Sequence, residues 1–354
     1  MWNRSFAPMQ NGVGRRGIMQ TAALGASLAV LGNVRRAAAQ EASHPRFRFV
    51  FVNHVTTNPF FTATQYGLRD AAALVGADTQ WTGSQNSIAA EMISAINSAI
   101  AAKASAIAVS LVDPHAFNDP VERALAAGIP VFAYNADVPA GSGNKRLAYI
   151  GQDLFKAGQM MGRRILDLVP GGRVALMIAT PGQLNIQPRI DGARDVLDKS
   201  GRSYQIDVVA TGATVNEELS KVKAYYLGHQ DVKGMFSVDG GTTQSVAETM
   251  EQYGLAAKGV HGGGFDLLPR TLSLIQGGHL DFTIDQQPYL QGYYTVMEMH
   301  NYLMSGGLVG PAEINTGLKF VTKANVAPYL ATKSRFEGSS SEAQFIPRSG
   351  PIQS

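Results

Sequence analysis

Residues 106–134 read AIAVSLVDPHAFNDPVERALAAGIPVFAY. The opening run 106–111 and the closing run 130–134 are almost continuously apolar and too short for helices. Neither shows the apolar-polar alternation of a strand with one face in water. Between them, 120–127 follows a helical pattern, with Pro120 ahead of Val121 and Glu122, where the first turn of a helix accepts proline. Strands apolar on both faces and joined through a helix belong to parallel sheets, because a parallel pair needs a long crossover to return the chain to the same end.

The unit repeats in both directions. Strands are expected at 47–53, 77–81, 106–111, 130–134, 148–150, 174–179, 206–210, 234–238, 259–263 and 282–285. Helices are expected at 60–74, 88–102, 120–127, 154–168, 187–199, 217–228, 242–253 and 289–304, with Asn216 marking the start before Glu217 and Glu218, and Pro188 inside another first turn. The predicted fold class is α/β, and about ten strands fit two doubly wound parallel-sheet lobes better than one sheet. From Ala331 the composition turns to Ser, Gly, Lys and Pro without periodicity, so 331–354 is expected to be a flexible tail.

The first 39 residues read as a cleaved export signal. Arg15 and Arg16 precede an apolar run of 14 residues, Ile18 to Leu31, and Ala37, Ala38 and Ala39 supply small residues for cleavage. A membrane-spanning helix needs ~20 apolar residues. The paired arginines resemble a twin-arginine signal, with the general secretory route as the alternative. Lys plus Arg number 30 against 27 Asp plus Glu, and loss of the five Arg in the signal leaves 25 against 27. The mature chain is therefore slightly acidic, which disfavours nucleic acid and anionic membranes as partners. The chain has no cysteine, which rules out disulfides, thiolate metal sites, a Cys nucleophile and a lipidated cysteine. A mature chain near 315 residues exceeds the ~250–300 at which one core divides, again favouring two lobes.

In open parallel sheets ligands bind beyond the carboxyl ends of the strands. Those ends carry Asn53 and His54 followed by Asn58-Pro59-Phe60-Phe61, then Tyr134-Asn135-Ala136-Asp137, Arg189 at a helix start, Asp239-Gly240-Gly241, Phe265-Asp266 and Asp285-Gln286-Gln287. Asp, Asn, Gln and Arg each pair with two vicinal hydroxyls, and the C–H face of a sugar ring packs on an aromatic face. A polyhydroxylated ligand requires that combination.

At these residues, and over roughly 46–327, the chain resembles the ribose- and galactose-type substrate-binding proteins of ABC transporters, which have the type I periplasmic binding fold. Asn58-Pro59-Phe60-Phe61 resembles the family's ligand-contacting Asn and stacking aromatics. Asn135 and Ala136 stand where sugar binders of the family usually place Asp and Arg, with Asp137 as a compensating acid. Arg189 matches the family Arg that opens a helix, Asp239 falls where relatives have Asn or Asp, Gly264-Phe265-Asp266 matches the sugar-contacting Gly-Phe-Asp, and Gln286 matches the hinge Gln.

The resemblance implies a three-segment hinge near 150–153, 285–288 and 315–318, with 46–150 and 287–315 forming the first lobe and 151–286 and 316–327 the second. It implies a ligand site of His54, Asn58, Phe60, Phe61, Asn135, Asp137, Arg189, Asp239, Asp266 and Gln286. It further implies a monomeric periplasmic receptor that closes on a monosaccharide or polyol and delivers it to a membrane permease. A ligand sensor read by a chemoreceptor or histidine kinase is the alternative.

Each site residue also has a purely structural reading: Phe60 and Phe61 as packing, Arg189 as a partner of Asp191, Asp239 and Asp266 as helix caps, His54 as a satisfied polar neighbour. The seven His show no metal-ligand spacing, no G-x-S-x-G elbow occurs, and Gly262-Gly263-Gly264 lacks the residues that complete a phosphate loop. The sequence thus predicts no enzyme, no cofactor and no metal.

Overall fold

The computed structural model describes residues 45–332. The expected export signal lies outside the described residues, as does the tail beyond residue 332. The first sheet holds β1 (Arg48–Asn53), β2 (Asp78–Gly83), β3 (Ala106–Val109), β4 (Val131–Tyr134), β5 (Tyr149–Gly151) and β11 (Glu313–Asn315). Their order is β11-β5-β4-β3-β1-β2, parallel throughout. The second sheet holds β6 (Gly172–Ile178), β7 (Tyr204–Ala210), β8 (Gly234–Ser237), β9 (His261–Phe265), β10 (Phe282–Asp285) and β12 (Lys319–Thr322), in the order β12-β10-β9-β8-β6-β7. There β12 alone is antiparallel, pairing with β10.

Both sheets are sandwiched, which explains the continuous apolar runs. Phe49 and Phe51 enter one core with Ala106, Ala108 and Phe132, while Val50 and Val52 enter the opposite core with Ile107, Val109 and Val131. The second sheet divides likewise: Leu176, Phe236 and Phe282 face one side, Met177 and Met235 the other. Burying each such side chain contributes about 1.5–3 kcal/mol.

The first lobe is covered by α1 (Phe61–Val75), α2 (Ala89–Ala101), α3 (Asn118–Ala126) and α9 (Pro288–Met304). The second is covered by α4 (Leu154–Leu168), α5 (Gln187–Asp198), α6 (Val215–Gly228), α7 (Gly240–Tyr253), α8 (Pro269–Gly277) and the short α10 (Ala327–Thr332). Residues 331 and 332, expected in the tail, thus close a helix. The α4–α5 pair packs through glycines. A Cβ on Gly158 would stand 2.2 Å from the Arg189 carbonyl oxygen, and one on Gly192 would stand 2.1 Å from that of Phe155. The backbone that carries Arg189 is fixed by that close approach.

Several boundaries differ from expectation. Helix α6 starts at Val215, because Thr214 rather than Asn216 caps it: Thr214 Oγ1 accepts from the Glu217 amide at 3.4 Å and donates to the Glu217 carboxylate at 3.0 Å. Helix α3 starts at Asn118, two residues before Pro120. The elements α8, β11 and β12 were not expected.

Candidate functional site

The carboxyl ends of both sheets face a common cleft, which holds a space of about 90 Å³. At ~10–15 Å³ for each water-sized occupant this holds on the order of six to nine such groups, the scale of one sugar ring with its hydroxyls. His54, Asn58, Phe60, Phe61, Asn135, Arg189, Asp239, Asp266 and Gln286 all line it.

From the first lobe, Asn58 shapes the turn: its Oδ1 accepts from the Phe60 amide at 2.9 Å, and its carbonyl accepts from the Phe61 amide at 3.1 Å. The two rings meet edge to face, centroids 4.7 Å apart. Phe61 is also core, packed against Trp81, so Phe60 is the half-buried ring left to the cavity. His54 is buried, its Nδ1 3.0 Å from Ser110 Oγ and its Nε2 3.2 Å from Asn185 Nδ2 of the second lobe. Burial drives its pKa down to about 3, so the ring is neutral and accepts from Asn185 while giving its own proton to Ser110.

From the second lobe comes Arg189, 2 % exposed. It donates to the Val238 carbonyl at 2.8 Å and to Gln152 Oε1 at 3.0 Å, and its guanidinium lies 4.1 Å from the centre of the Phe265 ring. Its Nε has no partner. Burial lowers its pKa, while Asp266 and Asp239 act to keep it charged. No pairing with Asp191 forms; that carboxylate accepts from Gln187. Asp239 does cap α7, accepting from the Thr242 amide at 2.9 Å, and its second oxygen accepts from the Ala179 amide at 3.0 Å. Asp266 does not cap the helix that follows it, since α8 begins at Pro269 with Leu268 before it; its carboxylate instead draws the Gly240 amide at the start of α7. Its carboxylate accepts from Gln286 Nε2 at 2.6 Å, and burial raises its pKa to about 6 against the pull of Arg189.

Asp137 is placed elsewhere. Both its oxygens are taken by Arg146, and it faces a separate depression beside Gln152, Pro188 and Glu313. An acid paired on its own loop has no reason to turn toward the cleft.

The sequence reading missed several cleft residues. Gln291, fully buried on α9, joins the lobes in one direction of donation. Asn135 donates to Gln291 at 3.2 Å, Gln291 to Gln286 at 3.1 Å, and Gln286 to Asp266. A polar residue on the buried face of α9, shared with Val296 and Met299, was the available signal. The loop before α5 reaches across as well: Gln183 donates to Ser87 Oγ at 2.8 Å and the Leu184 amide to the Val112 carbonyl at 3.0 Å. Glu218, read as an ordinary first-turn acid, lines the cavity too.

Backbone strain concentrates here. Among the described residues, five non-glycines have positive φ, and four of them, Ser87, Asn135, Asp266 and Gln287, line or adjoin the cleft. Strained residues persist where surrounding structure over-determines them, commonly at ligand sites.

The model for the periplasmic binding protein domain matches residues 49–307. The chain is 50% identical over 313 residues to the xylose/arabinose-binding protein XylF of Sulfolobus acidocaldarius, covering 85% of this chain and 77% of that one. Among solved structures, an ABC transporter solute-binding protein from Burkholderia graminis in complex with D-arabinose is 27% identical, with a TM-score of 0.74 over 80% of this chain and 97% of that one. A carbohydrate transporter from Acidothermus cellulolyticus in complex with myo-inositol is 26% identical, with a TM-score of 0.72 over 82% and 99%. Two wound sheets, a cleft at their carboxyl ends and a match over most of the chain lead to one conclusion: the protein belongs to the periplasmic binding protein family.

Proposed function

We propose that this protein is the exported sugar-capturing subunit of an ABC transporter, that its ligand is a monosaccharide with a pentose such as xylose or arabinose foremost, and that the loaded form docks on a membrane permease. The carrying observation is the cavity. The Phe60 ring stands across from the buried Arg189 and Asp266 and the half-buried Asp239, in a space of monosaccharide size. The 50% identity to a xylose/arabinose-binding protein supports the pentose reading, and the relatives are binding proteins rather than enzymes. Transport is favoured over sensing by the same relatives.

Closure follows from the residues. Asn58, Phe60 and Asn135 come from one lobe, Arg189, Asp239 and Asp266 from the other, so a ligand that bridges them stabilises only the closed arrangement. Arg189 donates to ring and hydroxyl oxygens, and the carboxylates accept from hydroxyls.

The test is titration calorimetry of residues 40–354 with xylose, arabinose, ribose, galactose, myo-inositol and xylonate. Binding confined to neutral sugars, tightest for a pentose, is the expected result. Silence toward every sugar overturns the proposal. Processing near Ala39, read by the N-terminal sequence of the secreted protein, tests export.

A further inference from the structure

The cavity wall contains a buried carboxyl beyond the Arg189–Asp239–Asp266 group. Glu218, in the first turn of α6, is 5 % exposed and lines the cavity on the far side of the α7 N-terminus from Asp266. Two glycines open that position. A Cβ on Gly241 would stand 2.2 Å from Glu218 Oε2, and one on Gly240 would stand 3.0 Å from Asp266 Oδ2. The first turn of α7 is thus flanked by two carboxyls with the Asp239 cap between them. Glu218 faces the Asp239 carboxyl and, among the described residues, otherwise receives a long hydrogen bond, 3.4 Å, from Thr242 Oγ1, a hydroxyl already paired with Thr211 at 2.8 Å.

From this geometry we propose that Glu218 is a specificity-determining residue of the cleft: held against Asp239 as a neutral carboxyl, it hydrogen-bonds the ligand and makes this end of the cavity a site for uncharged hydroxyls. The inference rests on the sugar-binding reading of the same cavity.

The chemistry follows from charge. With Asp239 and Asp266 already present, Arg189 is the one cation of the wall among the described residues, and it is directed at Val238, Gln152 and the Phe265 face. Two facing carboxyls do not both ionise readily in a closed space, so one proton is shared between them. Burial first, and Asp239 second, raise the Glu218 pKa to about 8. The charged groups bearing on it are Asp239 from the α7 cap and Glu217 from its own turn, with Asp266 and Arg189 beyond Gly240. A neutral carboxyl both donates and accepts, as a hydroxyl does. Above its pKa a second negative charge enters the pair, which the open cleft can hydrate and the closed cleft cannot.

The experiment is calorimetric titration of wild type, Glu218→Gln and Glu218→Ala with the tightest-binding sugar of the panel, from pH 6.5 to 9.5, with thermal unfolding of each variant. Wild-type affinity is expected to fall about tenfold per pH unit above pH 8. Glu218→Gln, a neutral isostere, is expected to bind within threefold of wild type at pH 7 with a flat profile. Glu218→Ala is expected to lose at least tenfold at pH 7. Wild-type affinity in the folded Ala variant, or a Gln variant that follows the wild-type pH profile, overturns the inference while leaving the receptor reading intact. Failure of wild type to bind any sugar overturns both.

Discussion

Replacing His54 by Gln tests whether its neutrality is a property of the fold, and the effect has a defined size. The ring is enclosed between Ser110, the edge of Phe61 and Asn185, and burial takes its pKa from an ordinary 6.5 to about 3. For a base with a depressed native pKa, the unfolded chain binds the extra proton, so stability is lost as pH falls through 6.5 and continues to fall until about 3. Between pH 7.5 and pH 5.0 the linkage amounts to ~2 kcal/mol. Asp266 and Asp285 carry the opposite sign, their native pKa values raised by burial to about 6 and about 7, so they favour the folded state on acidification and mask part of the histidine effect. The difference between wild type and His54→Gln cancels them. Urea unfolding of both proteins at the two pH values should show the wild-type advantage shrinking by ~2 kcal/mol at pH 5.0. A difference that stays constant with pH refutes the buried neutral ring.

Three further outcomes are expected. Asp266→Ala removes the acceptor of Gln286 and the proposed acceptor of the ligand, and with ~1–3 kcal/mol for each unmade buried hydrogen bond sugar affinity should fall by at least tenfold in calorimetry, with circular dichroism showing a folded protein of lower melting temperature. Gly158→Ala drives a methyl into the Arg189 backbone and should cost ~1–3 kcal/mol of stability, measured by denaturant midpoint, together with a loss of affinity. Gln291→Leu leaves Asn135 without its acceptor and Gln286 without its donor, and should weaken binding by ~1–3 kcal/mol with the secondary structure unchanged by circular dichroism.

The strands and long helices were legible because both sheets are covered on two faces, which writes uninterrupted apolar runs into the chain. Short elements were not. Helix α8 has nine residues and β12 a single buried one, Val321, so neither forms a periodic pattern. The start of α6 turned on a choice between two good caps, settled by Glu217 three residues beyond Thr214. At the site, the residue types at strand ends were legible, and nine of the ten candidates line one cavity. Direction was not: Asp137 has the right chemistry, but Arg146 on the same loop claims it. Glu218 carried no signal, because an acid in a first helical turn is commonplace. Its burial depends on Gly241, which comes from another helix.

The late strands have a consequence for how the chain matures. Each sheet receives its sixth strand only at residues 313–322, and α1 near the start is capped by α9 more than 200 positions later, where a Cβ on Gly67 would strike the Tyr289 carbonyl oxygen. Neither lobe is a continuous stretch of sequence. A ribosome that has released 280 residues has therefore made no finished lobe, and a chain truncated before α9 lacks the helix that packs on α1. Both lobes are therefore completed by residues 288–322, and neither can be finished before that stretch has been made.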